Sequence, residues 1–268
     1  MGLFKKSLVP DESQSMSMTD LARRLIPAKY RPYQVLSRLA WRSTQGYIAA
    51  GPFKGMSYIS EAANSALVPK LLGTYEFELN PIVERLVNNR LTRLVDIGCA
   101  EGYYAVGFAR RCPSLEVIAF DIDDRARRLA TLLAKQNGVE GRLKIERACS
   151  PGTLQAALVG QHAAVICDIE GAEATLLDPT LAPGLRTAQI LVEVHDGLVA
   201  YAGDTLRRRF DSTHRVATIA AVPRTREHCP QFHPLVALAP RKTVESLIIE
   251  RPDEPRMYWL HLEPHEKV

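Results

Sequence analysis

Three clusters in this 268-residue chain have residue types and spacings that could do chemistry. The first is Asp96-Ile-Gly98-Cys-Ala100-Glu-Gly102. Small residues at 98, 100 and 102 let a backbone turn tightly and let a ligand approach its amides. Asp121, at the end of the next apolar run, supplies a carboxylate that can accept hydrogen bonds from two ribose hydroxyls. The second cluster is Asp168-Ile-Glu170-Gly171-Ala-Glu173, and the third is Glu193-Val-His195-Asp196. Histidine titrates near neutral pH and can take a proton from an alcohol, so His195 is the first candidate base and Asp168 the second. Glu170, Glu193 and Asp196 are candidates for binding substrate hydroxyls or orienting that base. Alternate strand residues face one way, which places Glu193 and His195 on the same side. Asp168, Glu193, His195 and Asp196 also offer oxygen and nitrogen ligands to Mg²⁺ or a transition ion. Carboxylates at strand ends do not by themselves call for a metal, so none is assigned. His228-Cys229 and His233 have no zinc-ligand spacing and read as a surface loop.

These clusters must be held by elements, and the hydrophobic rhythm supplies them. Pro81–Asn89 reads as a helix with proline in its first turn. Apolar runs at Leu91–Ile97, Leu115–Asp121, Leu143–Ala148, Ala163–Asp168 and Ile190–His195 read as strands, several of them buried on both faces. Helical patterns fall between them at Tyr103–Arg111, Asp124–Asn137 and Thr153–Leu158, and a further helix is expected over Asp204–Phe210. Arg215–Val222 and Met257–Leu262 complete the set as late strands. Repeated β-α units predict a parallel sheet with helices on both faces and right-handed crossovers. The glycine loop and Asp121 then share the carboxyl edge of the sheet, where strand order reverses.

That crevice suits a dinucleotide or S-adenosylmethionine. The dinucleotide fingerprint Gly-x-Gly-x-x-Gly needs a third glycine at position 103, which is Tyr103, and it has no acid at the position of Asp96. Asp96-x-Gly98-x-Ala100-x-Gly102 instead resembles motif I of class I S-adenosylmethionine-dependent methyltransferases, with Ala100 in place of the usual middle glycine. The resemblance implies a Rossmann-like α/β fold, a mostly parallel seven-stranded sheet in the order 3-2-1-4-5-7-6. It also implies that Gly98, Ala100 and Gly102 line the methionine moiety, that Asp121 binds the ribose and that Ile122 packs near the adenine. Asp96 would organise the loop or contact the amino-acid end, and Asp168 would border the cofactor. Ser150 or a backbone group is left for the adenine. Asp168-x-Glu170-Gly171-x-Glu173 with Glu193-x-His195 is similar to the FkbM-type family over about 91–196. Tyr75-Glu76 is also expected near the cofactor.

Composition narrows the partners. The chain is 46% hydrophobic and 24% charged with a net charge of +4, ordinary for a soluble globular protein. Five dispersed cysteines without a Cys-x-x-Cys pair suggest free thiols, and no apolar run is long enough for a bilayer; a cytoplasmic protein is expected. Residues 1–20 are polar and read as a tail, 21–80 as a mainly helical extension or cap, and 81–268 as the methyltransferase domain. The expected function is O-methylation of a small molecule or saccharide hydroxyl. An N-methyltransferase is the first alternative, although nucleic-acid base enzymes usually carry Asp/Asn-Pro-Pro-aromatic where this chain has Asp168-Ile-Glu-Gly. The second alternative is a non-catalytic cofactor-binding scaffold. Oligomerisation is left open.

Overall fold

A computed structural model describes Pro27 and residues 30–63, 65–250 and 257–265. The tail expected over 1–20 lies outside them. The N-terminal segment contributes α1 (Pro32–Thr44) and α2 (Leu67–Leu72). The alternating part then runs α3 (Asn80–Asn88), β1 (Arg93–Ile97), α4 (Tyr103–Arg111), β2 (Glu116–Phe120), α5 (Asp124–Gln136), β3 (Leu143–Glu146), α6 (Pro151–Leu158) and β4 (Ala163–Cys167). It continues through α7 (Glu173–Leu176), β5 (Gln189–His195), α8 (Ala202–Phe210), β6 (His214–Ala220), α9 (Pro234–Leu238), α10 (Arg241–Ile248) and β7 (Met257–Pro264).

One seven-stranded sheet has the order β3-β2-β1-β4-β5-β7-β6. Strands β1 to β5 pair in parallel. β7 runs antiparallel to both β5 and β6, so the sheet is mixed, which is compatible with the mostly parallel sheet expected and keeps its strand order. The crossover through α8 skips one strand position, and β7 later fills that gap in the opposite direction. Burial follows the pleat. Leu94 packs in one cluster with α3, α4 and α5, whereas Val95 and Ile97 pack in the other with α6 and α8. A strand covered on both faces must be apolar throughout, which is why these runs do not alternate with polar residues. Each fully buried aliphatic side chain here contributes about 1.5–3 kcal/mol of burial.

A third cluster joins segments far apart in the sequence. Leu36, Ala40, Val68 and Leu72 of α1 and α2 pack against Val236 of α9 and Val244, Leu247 and Ile248 of α10. The connection between β6 and β7, which reads as featureless in sequence, therefore covers the N-terminal helices. Arg224 in this connection bonds Glu78 at 2.7 Å and Glu250 at 2.9 Å, with Phe77 under its guanidinium. Glu250 also accepts the Glu76 amide at 2.9 Å, so the same buried charges fix the chain just before α3. Phe53 anchors the N-terminal segment on α4: it sits in edge contact with Tyr103 and Phe108, and a side chain at Gly107 would occupy the place of its ring.

Candidate active site

β1 ends at Ile97 and the chain turns at once, with Gly98, Ala100 and Gly102 all at positive φ (83°, 48° and 93°). Gly98 has no alternative, because a Cβ there would lie 1.7 Å from the carbonyl oxygen of Asp168 at the end of β4. Ala100 occupies the left-handed region at a strain of about 1 kcal/mol. The loop is held at several points. The Gly98 and Cys99 amides donate to the Phe120 carbonyl, and the Ala100 amide donates to Asp121 Oδ2 at 2.8 Å. Asp121 Oδ1 accepts from the Asp123 amide at 2.8 Å, so each of its oxygens keeps one lone pair for a ligand. Asp96 Oδ2 accepts the Ala105 amide at 3.0 Å in the first turn of α4. Burial pushes the Asp96 carboxyl up to about 7 against that hydrogen bond, with Asp121 and Asp168 adding to the rise.

Glu101 gives the loop an anchor that spacing alone does not reveal. Its buried carboxylate accepts from Lys70 Nζ at 2.6 Å, Tyr58 Oη at 2.6 Å and the Ala63 amide at 3.1 Å. Burial alone would raise this carboxyl, but the Lys70 charge and the hydrogen bonds hold it below the ordinary range. Lys70 also donates to Ser65 Oγ at 2.8 Å and lies over the Tyr75 ring. It is the lone cation in the apolar stretch LVPKLL, the one sequence sign of this buried pair.

The loop forms the floor of a cavity of about 490 Å³, a size suited to a cofactor-sized ligand. Asp96, Gly98, Ala100, Asp121, Ile122, Asp168 and Glu170 all line it. At one end Asp121 stands beside Ile122, whose apolar side chain is 80% exposed. Cys149 is also at the wall, with burial raising its thiol to about 11. At the other end Lys70, Tyr75 and Glu76 close the wall from the N-terminal segment, and Trp259 of β7 joins them. Glu76 accepts the Tyr104 hydroxyl at 2.5 Å. Gly102 is the N-cap residue of α4 and does not line the cavity. Ser150 caps α6, exchanging hydrogen bonds with Thr153, and it too is off the cavity wall.

The two acidic clusters meet at the strand ends. His195 Nδ1 lies 2.6 Å from Glu173 Oε1. Its Nε2 faces Asp168 Oδ1 at 3.6 Å, Glu170 Oε2 at 3.2 Å and Glu193 Oε2 at 3.7 Å. His195 is 1% exposed and lies behind the wall, whereas Asp168 and Glu170 reach the cavity. Burial would lower the imidazole, yet the hydrogen bond and charge of Glu173, with Asp168 and Glu170, raise it above its ordinary value. Asp196 turns away: it accepts from the Gly203 amide at 3.0 Å and the Tyr258 hydroxyl at 2.8 Å. His228 and His233 are engaged in local turns, accepting the Thr225 and Leu235 amides.

Residues 80–158 match the family model described as Methyltransferase small domain. The matched span contains the Asp96–Gly102 loop and Asp121, and it supports a methyltransferase enzyme with S-adenosylmethionine as cofactor. No match was found among curated proteins. Among solved structures, the chain is similar to a candidate rRNA-methylase from Clostridium thermocellum (10% identity, 71% of this chain and 97% of that one, TM-score 0.48). It is similar to a candidate caffeoyl-CoA O-methyltransferase from Staphylococcus aureus (10% identity, 69% and 82%, TM-score 0.46). A third is the O-methyltransferase TomG from Streptomyces achromogenes, solved with S-adenosylmethionine (15% identity, 79% and 92%, TM-score 0.42). At these identities and scores nothing about substrate follows.

Proposed function

We propose that the protein transfers a methyl group from S-adenosylmethionine to a hydroxyl of a small molecule or saccharide. The observation that carries this reading is the placement of Asp168 and Glu170 on the wall of the cavity floored by the glycine loop. Residues of the cavity fit the cofactor: Asp121 retains lone pairs for a ribose diol, and Ile122 offers an apolar face for an adenine. S-Adenosylmethionine supplies an electrophilic methyl carbon. The acceptor oxygen forms the new C–O bond as the C–S bond breaks, the sulfur leaves as a neutral thioether, and the hydroxyl proton must go to the protein. Alignment of the oxygen opposite the sulfur supplies much of the rate.

Asp168 or His195 is the base. Asp168 faces the cavity, and His195 backs it at 3.6 Å, oriented by Glu173. Glu170 binds or orients an acceptor hydroxyl at the cavity wall, and Glu193, buried beside His195 at 3.7 Å, orients the base. The carboxylates of Asp168 and Glu170 at the cavity wall repel phosphates, which argues against a nucleic-acid acceptor. Leu198 and Val199, exposed next to Gly171, give the rim an apolar flank suited to an organic acceptor. The FkbM-type pattern of Asp168–Glu173 and Glu193–His195 favours oxygen as the acceptor atom. Five free cysteines fit a reducing compartment such as the cytoplasm, and among the described residues no helix is long and apolar enough to cross a membrane.

The test is turnover. S-Adenosylhomocysteine formation across a panel of hydroxyl acceptors should be detectable, with the methyl group located on oxygen by mass spectrometry. Methylation confined to amine acceptors would overturn the O-methyl reading, and absence of affinity for either cofactor form by calorimetry would overturn the whole of it.

A further inference from the structure

We infer that Asp168, Glu193 and His195 form a site for one divalent transition ion of the Mn²⁺ type, with Glu173 as the residue that orients the histidine. One donor atom from each of the three residues lies within 4.8 Å of the others. The decisive atom is Nε2 of His195. It belongs to a side chain that is 1% exposed, and it makes no hydrogen bond, although oxygens of Glu170, Asp168 and Glu193 face it at 3.2, 3.6 and 3.7 Å. A buried polar nitrogen left without a hydrogen bond costs free energy, so the fold must gain something by aiming it there.

The tautomer explains what it gains. Glu173 is fully buried, and its Oε1 is 2.6 Å from His195 Nδ1. An ionised carboxylate only accepts, so Nδ1 carries a hydrogen, and in the neutral ring Nε2 presents its lone pair. That lone pair points where Asp168 Oδ1 and Glu193 Oε2 converge, at 3.6 and 3.7 Å. Two donors bound to one ion at about 2.1–2.2 Å can be at most about 4.4 Å apart, so both separations let the pair share a single ion. A carboxylate that fixes the far nitrogen of a ligating histidine is the usual outer-shell partner of a metal site.

Charge points the same way. Asp168, Glu170, Glu173 and Glu193 surround one imidazole, and a single imidazolium would offset only one of them. A divalent cation at Nε2 offsets two. An imidazole with two carboxylates suits a first-row transition ion better than Ca²⁺, which prefers an all-oxygen shell. Asp168 extends from this cluster to the cavity wall, so the ion would lie next to the acceptor's position. The use of the ion in methyl transfer rests on the function proposed above. There it would lower the pKa of an acceptor hydroxyl, with His195 as ligand instead of free base and the second oxygen of Asp168 left for the proton. The site itself rests on the cluster alone.

Titration of the full chain with Mn²⁺, followed by calorimetry and by the loss of the free-ion paramagnetic resonance signal, tests this. We expect one Mn²⁺ per chain. Affinity should fall at least about tenfold in His195→Ala and in the near-isosteric Glu193→Gln, and about 10–100-fold in Glu173→Gln. Asp196→Asn, adjacent in sequence but turned away, should bind as wild type does. Circular dichroism and S-adenosylhomocysteine binding, recorded on the same samples, separate loss of the site from loss of the fold. Wild-type protein that takes up no Mn²⁺, or folded His195 and Glu193 variants that bind it unchanged, would overturn the site. Mn²⁺ uptake without cofactor affinity would instead remove the methyltransferase reading and leave the site standing.

Discussion

Asp121 Oδ2 accepts the backbone amide of Ala100 at 2.8 Å, tying the end of β2 to the tightest part of the loop that follows β1. The carboxylate assigned to the ribose thus also shapes the loop assigned to the methionine moiety. Asp121→Ala removes both roles at once. Hydrogen bonds to a charged group are worth about 1.5–3 kcal/mol, so S-adenosylhomocysteine affinity should fall at least about tenfold by calorimetry. Unchanged affinity would remove Asp121 from the site.

The loop should respond unequally to substitution at Gly98 and at Ala100. Gly98→Ala forces a Cβ into the Asp168 carbonyl and a side chain into the left-handed region, so urea unfolding should show a loss above about 2 kcal/mol. Ala100→Gly relieves left-handed strain while loosening the unfolded chain, and its stability should stay within about 1 kcal/mol of wild type. A tolerant Gly98 would mean that the loop and β4 are not in contact as described.

The buried Asp96 carboxyl predicts a pH trend in the cofactor-free protein. The folded state holds the proton up to about pH 7, while the unfolded chain releases it near the ordinary 3.8. A raised carboxyl of this kind contributes stability that is full below about pH 4 and is lost as pH climbs to about 7. Asp96→Asn keeps an acceptor for the Ala105 amide and carries no titrating group. Its unfolding free energy should therefore fall less than that of wild type between pH 5 and 7.5; parallel curves would contradict the assignment.

Lys70 and Glu101 should behave as a coupled pair. Removing either partner leaves a buried charge, so Lys70→Met and Glu101→Gln should each cost about 3–5 kcal/mol in urea unfolding. The double variant removes both charges and should lie closer to wild type than the sum of the singles. Additive losses would show that the two side chains do not act together.

How far each element was legible depends on how local its cause is. α4 at Tyr103–Arg111 agrees with its sequence boundaries, because a glycine at its N-cap and an amphipathic face are both written in adjacent residues. β3 stops at Glu146, two residues short of the expected end. α9 and α10 were not legible: they are short, and their apolar residues have meaning only against α1 and α2. The direction of β7 was hidden for a related reason, since a strand's own sequence carries little trace of which way its neighbours run.

The β-α rhythm, the small-residue loop after β1 and the carboxylate at Asp121 can be read from the residues alone, since each is set by neighbours within one β-α unit. The residues alone also put Asp168, Glu193 and His195 at strand ends. Packing of the folded chain is what sets Glu173, 22 residues from His195, against the imidazole and turns Asp196, the very next residue, elsewhere. The same packing brings Lys70 to Glu101 across 31 residues to brace the loop. Distances of that kind depend on how helices and strands stack, and no local pattern encodes the stacking.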